Sequence, residues 1–111
     1  MLVTEYTEKT RSMIEDFVKQ YPSIILNAIN GATTKEQDVY GKPYEIDEQE
    51  IEIELFPTRP IDYETKTEVD SQYLKECNSL FQEMSNYFDN KVEADISKDN
   101  NWASIYILYE E

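Results

Sequence analysis

The run Glu50-Ile51-Glu52-Ile53-Glu54-Leu55 sets three carboxylates on alternate residues. Carboxylates can transfer protons, coordinate hard cations, or receive the cationic side chains of another protein. Proton transfer of the glycosidase kind needs one carboxyl in a pocket that raises its pKa, beside a substrate cleft. The chain has 24 acidic residues, so carboxylate pairs arise by chance, and no pair is marked out as catalytic. For calcium, the spacing Asp95, Ser97, Asp99, Asn101 matches the opening of an EF-hand loop. Asn100 stands where that loop needs glycine, however, and Tyr106 where it needs glutamate. Recognition of a basic surface is the chemistry that remains.

Other reactive groups are scarce. The absence of histidine excludes Ser-His-Asp and Cys-His nucleophilic sites and removes the commonest metal ligand. Cys77, the single cysteine, falls in the middle of an apolar helical stripe, where a small buried hydrophobe is expected rather than a nucleophile. Two isolated glycines, Gly31 and Gly41, cannot build a phosphate-binding loop. The expectation is a protein that is not an enzyme and holds neither cofactor nor metal.

The formal charge of −14 argues against direct binding to nucleic acid or to an anionic membrane, because both would be repelled. This charge is uneven. Residues 1–35 balance four acids with four bases, whereas residues 36–70 carry twelve acids and three bases, a net of −9. The opening residues Met1-Leu2-Val3-Thr4-Glu5 lack the basic-then-apolar pattern of a secretory signal. With one cysteine and no long apolar run, the expected compartment is the cytoplasm.

The elements that must position the carboxylates follow from periodicity. Tyr6, Thr10, Met13, Ile14, Phe17, Val18 and Tyr21 share a helical stripe beginning near Thr4. Ile24, Ile25, Ala28 and Ile29 are read as continuing it past Pro22, with Asn30-Gly31 as the stop. The period then changes to two. A short strand is expected around Val39 to Ile46. Residues 50–55 and 61–69 alternate like the arms of a hairpin, joined through Pro57-Thr58-Arg59-Pro60. Asp70 or Ser71 caps a second helix with the stripe Tyr73, Leu74, Cys77, Leu80, Phe81, Met84, Tyr87 and Phe88. Val92 to Ile96 alternates again, and Trp102 to Tyr109, apolar on both faces, reads as a central strand. The result is one α+β domain over residues 1–111, of order α-β-β-β-α-β-β. Its antiparallel sheet has about four to five strands, with two helices packed on one face.

If Ile51, Ile53 and Leu55 face the core, Glu50, Glu52 and Glu54 line the opposite face. Asp62, Glu64 and Glu68 extend the array on the expected partner strand, and Lys66 is the lone base in these rows. Alternate residues lie about 6.8 Å apart along a strand and neighbouring strands about 4.8 Å apart, so the array is two-dimensional. Glutamate is a poor strand former and like charges opposed across a ladder repel, which a face shaped for solubility alone would relieve with lysines. These six residues are therefore the candidate contacts to a basic protein surface, that of a nucleic-acid-binding enzyme being the natural fit. In size, acidity and lack of catalytic equipment the chain resembles phage-encoded anti-defence proteins as a class, anti-CRISPR proteins among them. An immunity protein or antitoxin against a cognate toxin has the same composition. An oligomeric structural or assembly protein is a further reading from a different class.

Overall fold

The computed structural model describes residues 1–32, 35–37, 43–45, 49–58, 71–97 and 102–109. Helix α1 spans Glu8–Lys19 and starts after Thr7, whose side chain accepts the Thr10 N–H at 3.2 Å. This cap places the start four residues after Thr4, because the side chain of a β-region threonine satisfies a first-turn donor that has no partner within the helix. Thr10, Ile14 and Val18 are buried, flanked by half-buried Tyr6, Met13, Phe17 and Tyr21, which is the expected stripe.

Residues Ile24–Ala32 form strand β1, not the helical continuation expected beyond Pro22. The cause is an irregularity in its pairing between Leu26 and Ala28. One extra residue there puts Ile24, Leu26 and Ile29 on the core side, a spacing that is neither strictly two nor clearly helical. Asn30-Gly31 likewise lies inside the strand. A Cβ at Gly31 would run into the ring of Tyr6, so glycine is there to let that ring lie against the strand.

Strands β2 (Lys35–Gln37) and β3 (Pro43–Glu45) pair antiparallel as a separate two-stranded sheet. β3 falls within the span expected for a short strand; Val39 to Lys42 and Ile46 lie outside the described residues. The main sheet is antiparallel throughout, with β4 (Gln49–Pro57), β5 (Lys91–Ser97) and β6 (Trp102–Tyr109) in the order β1-β4-β6-β5. β6 is central, as its apolar character on both faces implies. β4 has β1 on one edge and β6 on the other, so both of its edges are filled and the pairing differs from the expected hairpin. Residues 61–69, the expected partner, lie outside the described residues.

Helix α2, Ser71–Tyr87, buries Tyr73, Cys77, Leu80 and Met84, and Phe88 just beyond it, against Ile51, Ile53, Leu55, Ala103, Ile105 and Ile107 of the sheet. The same cluster takes Ile14 and Val18 from α1, so both helices cover one face. Polar pins fix the layers. The Tyr73 hydroxyl donates to the Leu55 carbonyl at 2.7 Å within the core. Glu76 is buried on α2 and accepts the Ser23 N–H at 3.0 Å and the Gln72 amide at 3.1 Å. Asn90 accepts the Val3 N–H and donates to the carbonyls of Val3 and Leu108, tying the segment before α1 to β6. Among the described residues no helix is long and apolar enough to cross a membrane.

Candidate functional site

Pairing fixes which residues share the face that the helices leave open, since directly opposed residues point the same way. Ile25 opposes Phe56, and Ser97 opposes Trp102. One step beyond the Leu55–Ala103 pair brings Phe56 opposite Trp102. The first row across the open face is therefore Ile25, Phe56, Trp102 and Ser97. The next holds Ala28, Glu54, Ser104 and Asp95, and the third Asn30, Glu52, Tyr106 and Glu93. In the fourth, Glu50 opposes Leu108, which opposes Lys91.

Glu50, Glu52 and Glu54 are brought together on the open side of β4, as their spacing predicts. Asp62, Glu64 and Glu68 lie outside the described residues. The second acidic row found is on β5, where Glu93 and Asp95 share the face. It is separated from the β4 row by β6, a gap of about 9.6 Å at two strand spacings. Val92 to Ile96 showed this alternation in the sequence; what was missing was the strand order that turns it to the same side. Among the described residues the open face thus carries five carboxylates and, in Lys91, one base, which pairs with Glu93 at 3.0 Å.

Crowding shapes the carboxylates. Burial pushes the Glu52 carboxyl above its ordinary range, helped by a hydrogen bond with Glu54 and by the charges of Glu54 and Glu50. Glu54 also accepts from the Asn27 amide at 3.0 Å, at the irregular point of β1. The pairing irregularity of β1 therefore brings a neutral donor to the acidic row. The other carboxylate of interest is Glu76, on the covered face. Desolvation alone would raise it, but bonds from the Ser23 hydroxyl and N–H and from Gln72 outweigh that and hold it below its ordinary value.

The apolar row was not anticipated. Ile25, Phe56 and Trp102 are 46%, 45% and 36% exposed, which for two aromatics and an isoleucine in one cross-strand line is an apolar patch. The sequence held one signal of it: Phe56 continues the even-numbered series Glu50, Glu52, Glu54, so it belongs on the same face.

Elsewhere the chemistry is quiet. Cys77 is fully buried and burial pushes its thiol up to about 11, the behaviour of a core residue rather than a nucleophile. No cluster of potential metal ligands occurs among the described residues. Of the calcium-like series, Asp95 and Ser97 sit on β5, while Asp99 and Asn101 lie outside the described residues. No protein-family model, curated protein or solved structure matches the chain.

Proposed function

We propose that the open sheet face docks onto the basic, nucleic-acid-binding surface of a protein partner. By filling that surface the chain acts as a small inhibitor in the cytoplasm, in the manner of an anti-defence protein such as an anti-CRISPR. The observation that carries this reading is the face of a four-stranded sheet opposite both helices, on which, among the described residues, five carboxylates meet one lysine beside exposed Phe56 and Trp102. A face that only had to be wet would intersperse bases and keep aromatic rings inside. Two acidic rows in fixed register present charge at set intervals, as a phosphate backbone does, and an acidic field of this kind speeds encounter with a basic groove.

The test is a pull-down from host lysate at low and at high salt. It compares the wild type with a variant carrying E50Q, E52Q, E54Q, E93Q and D95N. The expected result is a nucleic-acid-binding protein that the wild type retains at low salt, that duplex DNA displaces, and that the variant no longer captures. Capture that survives the five substitutions, or a partner indifferent to DNA and salt, overturns the proposal.

A further inference from the structure

We infer that the cation received at the Phe56–Trp102 end of the open face is an arginine of the partner. This rests on the docking reading and adds the residue type that the face selects. Row spacing carries the argument. Phe56 and Trp102 belong to the first row, and Glu54 and Asp95 flank Ser104 in the next, about 6.8 Å further along the strands. Ser104 is small and itself buried, so the carboxylate row dips between Glu54 and Asp95, and this shallow trough opens directly beside the rings.

A guanidinium fits such a trough in two ways at once. Its plane stacks on an indole or phenyl face, and its edge donates in parallel to a carboxylate. A lysine ammonium, compact and strongly hydrated, makes the second contact without the first in full. Charge complementarity supplies the rest: the described open face holds carboxylates in rows below the rings and only Lys91 as a competing base, at the far end of β5 from Trp102. The apolar row is also the part of the face that acidity does not explain. Left alone, two half-exposed rings weaken a soluble surface; as a stacking platform they become the most specific part of it.

Trp102 is the single tryptophan of the chain, so its emission reports on this end of the face directly. The probes are nona-arginine and nona-lysine peptides, titrated at physiological salt, with binding followed by Trp102 fluorescence and by the anisotropy of labelled peptide. For the wild type, nona-arginine should bind about 3- to 10-fold more tightly than nona-lysine and change the Trp102 emission. In F56L/W102L, which keeps apolar volume and loses the π faces, that ratio should fall at least threefold while nona-lysine binding holds. In the five-residue amide variant both peptides should lose affinity.

A wild type that binds both peptides equally overturns the arginine assignment, as does a ratio unchanged in F56L/W102L. In either case, nona-lysine binding that vanishes in the amide variant leaves the docking reading standing. Failure of both peptides to bind the wild type overturns both. Circular dichroism of each variant checks the fold, and single W102L and F56L variants carry the test if the double variant is unfolded.

Discussion

Along β4, neighbouring residues serve opposite sides of one sheet. Ile51, Ile53 and Leu55 are fully buried, while Glu50, Glu52 and Glu54 stand on the face opposite α1 and α2. The covered side is a packed layer pinned by polar pairs, Tyr73 with Leu55 and Glu76 with Ser23. On the open side Glu52 is held among like charges. One side holds the fold together; the other carries a cost to stability that the first must offset. The lesson is that the two can be altered independently, which makes the functional proposal testable without unfolding the chain.

Adjacent substitutions sharpen this contrast most. Ile53→Ala should cost about 2–5 kcal/mol in urea denaturation, the usual penalty for truncating a large buried aliphatic. Glu52→Ala, one residue away, should stay within about 0.5 kcal/mol. Comparable losses at both positions would break the comparison.

Glu76 comes next. Replacing it with alanine leaves the Ser23 N–H without its acceptor and should cost about 1–3 kcal/mol. The pH dependence then separates the two carboxylates by sign. The Glu76 pKa is lowered on folding from its ordinary value of 4.5. Its contribution is therefore complete above that value and is lost as pH falls through the lowered folded value. Glu52 is raised from the same ordinary value, so its unfavourable contribution applies above the raised folded value and is relieved as pH falls through it. Denaturation midpoints between neutral and strongly acidic pH should show a shallower acid loss for Glu76→Gln than for the wild type. Glu52→Gln should remove the relief and steepen the net fall.

The smallest effect is electrostatic. At neutral pH Glu52→Gln should stabilise the protein by a few tenths of a kcal/mol, a gain that salt near 1 M reduces by screening Glu54 and Glu50 but does not abolish, since burial is its larger cause. A destabilised Glu52→Gln protein would mean that this carboxylate is a structural partner and not part of a mutually repelling acidic row.

Much of the fold was legible because its clearest signals are local. The α2 stripe, the strict alternation of residues 50–55 and the apolar run of Trp102 to Tyr109 each depend on one element packing one way. β1 was misread because a pairing irregularity at Leu26–Ala28 spoils its period, and because Gly31, which looks like a stop, is a seat for Tyr6. The β4 half of the acidic site could be read from residue parity alone. The β5 half and the apolar row could not be assembled without knowing that β6 separates β4 from β5, a long-range pairing that no local pattern encodes.

That insertion also bears on how the chain is made. Among the described residues β4 and β5 are joined through Trp102–Tyr109, so until those residues have left the ribosome the β1–β4 pair and the single strand β5 each keep an unmatched edge. Closure is then a late step that brings together strands far apart in sequence, and proteins dominated by such pairings fold slowly. During synthesis it is therefore one edge of β4 that stays unpaired, and a glutamate at every second position keeps neighbouring nascent chains from pairing with it.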